Sequence, residues 1–172
     1  MEGALARGKD RRTAYLGLGS NEGDRLAILR AARSALERRG LRVLASSSVY
    51  ETAPQGEVTD QPDFLNAAIA VDTELDPGEL LELCKEVERE LGRRPGGRRH
   101  GSRPIDVDVL LVGDREERSD RLTLPHPELR SRRFVLEPLL ELDPGLTLPD
   151  GTALLDLLAS VRDQRVERLG PL

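Results

Sequence analysis

Strand-like and helix-like segments follow one another along this chain in an order that few folds accommodate. Continuous or alternating apolar residues predict four strands, and apolar residues spaced three and four apart predict two helices between them. The order is β-α-β-β-α-β, with strands expected at residues 13–19, 41–51, 64–75 and 104–112. This order is typical of the split βαβ, ferredoxin-like arrangement, in which two helices cover one face of an antiparallel sheet. We therefore expect an α+β fold, with short C-terminal helices near residues 134–141 and 152–161 beside the sheet.

The second predicted helix carries the clearest local signals at its two ends. Asp76 is a suitable N-cap, Pro77 suits the first helical position, and Glu79 completes a capping box. Gly92 is expected to end this helix, and Gly40 is expected to end the first one. One apolar stripe predicts that the second helix lies against the sheet, through Leu80, Leu83, Cys84, Val87 and Leu91.

Composition limits the class of protein. The length of 172 residues suits one domain, which we expect at residues 13–172 behind a disordered tail at residues 1–12. The single cysteine, Cys84, excludes an internal disulfide, and one cysteine with two histidines excludes metal sites built from several such side chains. No apolar run reaches the roughly 20 residues of a membrane span, and residues 1–12 lack the apolar region of a signal peptide. We expect a cytoplasmic protein with no membrane partner.

Positive charge is concentrated in one segment of a chain whose net charge is −5. Residues 89–103 contain one acid, Glu90, and six arginines: Arg89, Arg93, Arg94, Arg98, Arg99 and Arg103. Arginine stays protonated and its planar fork matches phosphate oxygens, so this segment predicts an anionic ligand, unless it is only a solvated surface turn. The net negative charge and the 2% aromatic content disfavour a nucleic-acid partner, because an RNA-binding sheet of this topology needs several stacking aromatics.

Two carboxylates follow this segment on the last predicted strand. Alternate side chains of a strand share a face, so Asp106 and Asp108 point the same way, about 6.6 Å apart, with Leu110 and Val112 beyond them. Like charges beside apolar neighbours need compensation. A pair of Mg²⁺ ions that also clamps a phosphate chain is one solution, and solvent or pairing with Arg103 is the other. Next to the arginine segment, the two carboxylates predict chemistry on a polyphosphate.

A few further side chains fit a flat ligand or a phosphate. Phe64 and Phe134 are either core residues or the two sides of a slot for one heterocycle, and Asn66 shares the face of Phe64 on the same strand. His126, between two prolines, is either a turn residue or a phosphate donor. We expect no phosphate-binding loop on the first strand, because its two glycines lack the spacing of both the P-loop and the dinucleotide fingerprint.

The order and spacing of several short segments resemble the 6-hydroxymethyl-7,8-dihydropterin pyrophosphokinase family of folate biosynthesis. The resemblance extends from Ala14 to about Gly151. Its segments are AYLGLGSN (14–21), SSVYET (47–52), DQPDFLNAA (60–68), ELGRR (90–94), GSRPIDVDVLL (101–111) and RLTLPHP (121–127). The most specific part is the R-x-x-D-x-D-x-L pattern followed by LTLPHP.

The resemblance implies a diphosphoryl transfer. ATP, the co-substrate, would give its β- and γ-phosphates as one unit to the hydroxymethyl oxygen of the pterin, releasing AMP in a step of tetrahydrofolate biosynthesis. Two Mg²⁺ ions would be bound by Asp106 and Asp108. Residues 52–63 and 93–103 would form lids that close over the two small-molecule substrates. We expect no other partner, and a monomer or weak dimer.

The resemblance also implies which residues touch each substrate. The catalytic set would be Arg99, Arg103, Asp106 and Asp108. The pterin would contact Thr52, Ala53, Gln55, Phe64, Asn66 and Phe134. The ATP would contact Glu88, Arg99, Arg103, Val109, Arg121, Thr123, His126 and Arg132.

Two other functions are compatible with the residues. A different two-metal transferase acting through the same aspartates would release pyrophosphate or ADP instead of AMP. A non-catalytic ferredoxin-like binding module would bind its ligand without Mg²⁺ and without the aspartates, and it leaves two like charges on an apolar strand unexplained.

Overall fold

The computed structural model describes residues 10–54, 60–92 and 104–172. Within these ranges the main sheet consists of β1 (Arg12–Ser20), β2 (Arg42–Ser46), β3 (Ser48–Thr52), β4 (Phe64–Thr73), β5 (Asp106–Val112) and β8 (Val166–Pro171). A small ribbon consists of β6 (Glu117–Arg118) and β7 (Thr123–Leu124). The α-helices are α1 (Arg25–Arg38), α2 (Pro77–Glu90), α3 (Arg133–Leu142) and α4 (Leu154–Leu158), and 3-10 turns lie at Leu129–Ser131 and Ala159–Val161.

An interior strand of the main sheet, β1, pairs antiparallel with β4 on one side and β5 on the other. The strand order is β5-β1-β4-β3-β8, and β2 also pairs with β4, beyond the start of β3. The predicted α+β fold, an antiparallel sheet with helices, is confirmed. The strand order is consistent with the ferredoxin-like arrangement.

Alternation along β1 separates two apolar cores. Ala14, Leu16 and Leu18 are at most 2% exposed and pack with the apolar stripes of α1 and α2 on one face of the sheet. The other face packs against α3 and α4, where Leu136 and Leu139 are fully buried. The two predicted helices therefore cover one face, and the C-terminal helices cover the other.

The ends of α1 and α2 follow the predicted local chemistry. The Asp76 backbone N–H donates to Glu79 Oε1 at 3.1 Å, and Pro77 opens α2. Gly40 and Gly92, which follow the two helices, have φ of 96° and 99°, a conformation that a side chain would strain. The predicted start of α2 and the predicted stops of both helices are confirmed.

Two strand predictions need correction. The segment 41–51 is not one strand, because Ser47 interrupts it and its Oγ accepts the Ala68 N–H at 2.9 Å in place of a backbone acceptor. In addition, the sequence patterns predict no strand at 166–171, where the structure has β8. Its side chains are mostly exposed, so it lacks the apolar alternation that reveals a half-buried strand.

A bulge on β5 corrects a third prediction. Leu16 pairs with Val109 and Tyr15 with Leu111, so Leu110 is an extra residue between them. Leu110 and Leu111 consequently both pack with the α3 core, and Val112 turns to the α1–α2 core. The prediction that Leu110 and Val112 share a face is wrong, because the bulge reverses the alternation.

The first strand begins one residue earlier than the segment 13–19 predicted for it. Residues 1–9 of the expected tail lie outside the described residues. However, β1 already includes Arg12, and Arg11 Nη1 lies 3.1 Å from Asp72 Oδ2. Among the helices of the three described ranges, none has the length and apolar character needed to cross a membrane.

Candidate active site

A cavity of about 460 Å³ opens on the face of the sheet that carries α3. Its walls come from β1, the end of β3, β4, β5, one side of α2, the segment 119–128 and part of α3. Every predicted site residue within the described ranges lines it: Thr52, Ala53, Phe64, Asn66, Glu88, Asp106, Asp108, Val109, Arg121, Thr123, His126, Arg132 and Phe134. Gln55, Arg99 and Arg103 lie outside the described residues.

The floor of the cavity is a pair of residue rows that run across the strands. In one row Asn66, Gly19 and Asp106 are direct register partners on β4, β1 and β5. In the next row Gly17 stands between its partners Ala68 and Asp108. Because the middle strand contributes only glycine, a trough runs between the amide on β4 and the carboxylates on β5.

The two aspartates lie side by side on this floor, both half-buried. Between them, the Val107 N–H points to the free edge of β5 and donates to Glu88 Oε2 at 2.8 Å. Glu88 is 7% exposed and comes from the last turns of α2. This helix carboxylate therefore holds the strand backbone at the point that carries both aspartates.

The opposite end of the trough carries an amide and two aromatic rings. Asn66 Nδ2 donates to Thr52 Oγ1 at 2.8 Å, and both side chains are buried. Phe64 is the register partner of Thr52, and Phe134 lies in the first turn of α3. The Arg132 guanidinium stands 5.4 Å from the centre of the Phe134 ring, a cation–π contact that adds to the placement of that ring.

The segment 119–128 closes the side of the cavity near the aspartates. The His126 N–H donates to the Leu110 carbonyl at 3.0 Å, and His126 Nδ1 accepts the Glu128 N–H at 3.2 Å. Burial lowers the pKa of this imidazole, Arg132 adds to that effect, and the acids Glu128 and Asp106 oppose it. The ring is thus neutral near pH 7 with its remaining proton on Nε2, a hydrogen-bond donor.

The predicted arginines of the nucleotide side are paired with acids. Arg121 forms an ion pair with Glu82 of α2, and Arg132 forms one with Glu128. Arg121 is the more exposed of the two, with 64% of its side chain accessible. Both guanidinium groups therefore lie at the cavity with carboxylate partners that a phosphate would have to replace or share.

The profile of one protein family matches residues 15–144, which is most of the chain. That family is described as 7,8-dihydro-6-hydroxymethylpterin-pyrophosphokinase (HPPK). The chain belongs to the HPPK family. The family resemblance seen in the sequence motifs is confirmed by this match and by the relatives below.

Curated HPPK relatives include single enzymes and larger proteins. The 2-amino-4-hydroxy-6-hydroxymethyldihydropteridine pyrophosphokinase of Methylorubrum extorquens is 47% identical over 157 residues, covering 91% of this chain and 98% of the relative. The enzyme of the same name from Haemophilus influenzae is 37% identical and covers 92% and 99%. A mitochondrial folate synthesis bifunctional protein of Pisum sativum is 46% identical over 127 residues, 74% of this chain and 24% of that protein.

Solved HPPK structures share the fold. An HPPK-DHPS variant of Plasmodium falciparum, crystallised with pterin and p-hydroxybenzoate, matches with a TM-score of 0.71 at 15% identity and covers 98% of this chain. The wild-type protein with pteroate matches with a TM-score of 0.68 at 15% identity and covers 88%. This chain spans about half the length of these proteins, 49% and 42% respectively.

Two groups of side chains that hold elements bordering the cavity were not predicted from the sequence. Asn21 Nδ2 donates to Gln61 Oε1 at 2.9 Å and to the Pro62 carbonyl at 3.0 Å, so Asn21, the last residue of the motif at 14–21, holds the residues before β4. Only the position of Asn21 directly after a strand hinted at this role.

The second group anchors α3. Glu141 accepts hydrogen bonds from the Ser48 N–H at 2.9 Å and from the Tyr50 hydroxyl at 2.6 Å, and Arg168 Nη2 lies 3.1 Å from it. Burial alone would raise the pKa of Glu141, but these contacts hold it below its ordinary value. Burial and Glu141 raise the pKa of Tyr50, so its hydroxyl stays a donor. No sequence pattern joins these positions, which are brought together by β3, β8 and α3.

Proposed function

We propose that this chain transfers the diphosphoryl group of ATP to the hydroxymethyl group of 6-hydroxymethyl-7,8-dihydropterin, giving AMP and the pterin diphosphate for folate synthesis. One observation carries the proposal. The amide of Asn66, the rings of Phe64 and Phe134 and the carboxylate pair of β5 all line one cavity. The amide and Asp106 are two strands apart in one row, about 9.6 Å between backbones, so a ligand held at one end reaches the other.

The pterin end is proposed from the amide and the rings. Asn66 would hydrogen-bond the polar edge of the heterocycle, and the two phenyl rings would stack on its faces. Thr52 Oγ1 accepts a hydrogen bond from Asn66 Nδ2, so the amide is already oriented before the ligand arrives. Ala53 and Gln55 complete the proposed set of pterin contacts.

The carboxylate end fits Mg²⁺ by its donor chemistry. The described residues contain no group of three or more His, Cys, Asp or Glu side chains placed to hold a metal. Mg²⁺ prefers one or two carboxylates with water and substrate phosphates as its other ligands, which Asp106 and Asp108 beside an open cavity satisfy. We propose that this pair holds two Mg²⁺ ions, whose chemistry is to neutralise and align the phosphate chain.

The chain's own residues then orient the reaction. The neutral His126 offers its Nε2 proton to a phosphate oxygen, and Arg121, Thr123 and Arg132 line the same wall. The nucleophile is an alcohol, and phosphoryl transfer depends mainly on alignment and charge neutralisation, so no strong base is required. Arg99 and Arg103 are proposed to add positive charge over the phosphates, and Glu88 and Val109 to border the nucleotide.

Product analysis tests this function. The purified protein is incubated with ATP, Mg²⁺ and 6-hydroxymethyl-7,8-dihydropterin, and AMP is resolved from ADP. We expect AMP in step with pterin consumption, and loss of AMP in Asp106→Asn. Asp114→Asn, an exposed aspartate just beyond β5, is the matched control and should keep the wild-type rate.

Each alternative gives a different product pattern. ADP would identify a simple kinase, and pyrophosphate a nucleotidyl transferase. No turnover by a folded protein, with ligand binding that is independent of Mg²⁺ and unchanged in Asp106→Asn, would identify a binding module. Cytoplasmic location and a monomeric or weakly dimeric state stay predictions, to be checked by fractionation and by light scattering.

A further inference from the structure

Gly19 occupies the point in the sheet where the two ends of the site meet. Its register partners are Asn66 on one side and Asp106 on the other. A Cβ at this position would lie 2.8 Å from Asn66 Oδ1, closer than real side chains approach, but 3.9 Å from the Asp106 Cβ, an ordinary contact. A side chain at position 19 would therefore clash with the Asn66 amide but not with Asp106.

The lack of room for a side chain, and not the backbone conformation, explains why position 19 is glycine. Gly19 lies inside β1, and it is not one of the described glycines with positive φ, which are Gly23, Gly40, Gly92, Gly113 and Gly151. An L-residue could adopt its backbone angles without strain. The close approach of Asn66 Oδ1 is what a side chain at position 19 would prevent.

The Asn66 amide cannot rotate away without losing a buried hydrogen bond. Asn66 is 8% exposed, and its Nδ2 is bound to Thr52 Oγ1, which belongs to a residue that is only 3% exposed. Moving Oδ1 away from a new methyl group requires rotation of the whole amide, which also moves Nδ2 away from Thr52. The amide would then present a different edge to the cavity.

We propose that Gly19 is a positioning residue for ring recognition: its missing side chain sets the orientation in which Asn66 meets the heterocycle. This inference rests on the proposed function, because it assigns Asn66 to the pterin. It predicts a selective defect. Gly19→Ala should raise the KM and the dissociation constant for the pterin by about 10- to 100-fold, as for the loss of one or two hydrogen bonds. The KM for ATP should change less than about twofold, because the contact with Asp106 is ordinary.

The chain offers a matched control on the same strand and the same face. The three atoms nearest to a Cβ at Gly17 all belong to the Leu110 side chain, and the nearest lies at 3.4 Å, an ordinary distance. Gly17 is partnered by Ala68 and Asp108, and not by the amide. Gly17→Ala adds a methyl group to the same floor without meeting the amide, so it should raise the dissociation constant for the pterin much less than Gly19→Ala does.

A double-mutant cycle separates positioning from general packing. The dissociation constant for 6-hydroxymethyl-7,8-dihydropterin is measured by calorimetry with Mg²⁺ and α,β-methylene-ATP for wild type, Gly19→Ala, Asn66→Ala and the double variant. If Gly19 acts through Asn66, the methyl group adds no further loss once the amide is gone. Additive losses, or equal increases in the KM for pterin and for ATP, would overturn the proposal.

The outcomes stay distinct from those of the proposed function. If wild type makes no AMP, the proposed function and this inference both fail. If wild type makes AMP and Gly19→Ala binds pterin like Gly17→Ala, only this inference fails. Should Gly19→Ala not fold, recovery of folding in the double variant places the conflict at Asn66 and supports the proposal, and failure of both variants to fold overturns it.

Discussion

The two faces of the central sheet hold their helices by different means. On one face, α1 and α2 are held by a continuous apolar core in which Leu16, Leu29 and Leu80 are fully buried. On the other face, α3 and α4 also pack on an apolar core, but glycines and an alanine line the trough beside it, and Glu141 adds hydrogen bonds at the C-terminal end of α3. The opposite end of α3, with Phe134, borders the cavity.

This difference separates stability from function in space. The apolar face gains free energy from close packing, so substitutions there should change the free energy of unfolding. The trough itself gives up packing volume to leave room for ligands, so substitutions of the residues that line it should change activity. Glu141 is the exception, because it holds a helix that also carries a proposed ligand contact.

The largest effect is expected from Asp108→Asn on the trough face. Removing one of the two proposed metal carboxylates should lower the rate of AMP formation by about 10³-fold, near 4 kcal/mol in transition-state stabilisation. The free energy of unfolding should change by less than about 1 kcal/mol, since the side chain is half-buried at a cavity. Steady-state kinetics check the rate of AMP formation, and urea unfolding checks the free energy of unfolding. A large loss of stability with full activity per folded molecule would contradict the separation of stability from function.

The next effect is expected on the apolar face. Leu16→Ala removes a fully buried side chain from the core beneath α1 and α2, and should lower the free energy of unfolding by about 3 kcal/mol. Activity per folded molecule should be retained well below the melting temperature. The matched control is Leu155→Ala, at a leucine that is 56% exposed, with an expected change under about 0.5 kcal/mol.

An intermediate effect is expected from Glu141→Gln. This variant tests whether the Glu141 anchor affects both stability and pterin binding. The amide keeps the shape of the carboxylate but loses the charge that attracts the Tyr50 hydroxyl, the Ser48 N–H and Arg168. We expect a loss of about 1–2 kcal/mol in the free energy of unfolding. We also expect a higher KM for the pterin with an unchanged KM for ATP, because α3 carries Phe134. An unchanged pterin KM would mean that the anchor serves stability alone.

The smallest effect is a pH dependence from His126. Its pKa in the folded protein is lowered by burial, so the unfolded chain takes up a proton first as the pH falls below about 6.5. Stability should therefore be complete above that pH and decline below it, towards the lower pKa of the folded state. Melting temperatures between pH 8 and pH 5 check this, and His126→Gln should flatten the decline. A melting temperature that rises on acidification would contradict the burial of a neutral ring.

Local patterns were enough to predict much of the molecule. The capping box of α2, the glycine stops of both helices and the shared face of Asp106 and Asp108 depend on neighbours within a few residues. Side-chain periodicity does not require knowledge of the partner strand. The family motifs then selected residues that, where described, all line one cavity, although their roles at that cavity stay predictions.

Only the tertiary structure decided how the strands meet. The interruption at Ser47, the bulge at Leu110, the edge strand β8 and the Glu141 anchor all depend on contacts between residues distant in sequence. The spacing of the two glycines of β1 is enough to exclude a P-loop and a dinucleotide fingerprint, but it does not show which residues lie beside them. Strand pairing is what places Gly19 between Asn66 and Asp106, because register is set by packing across the whole sheet and not by any segment alone.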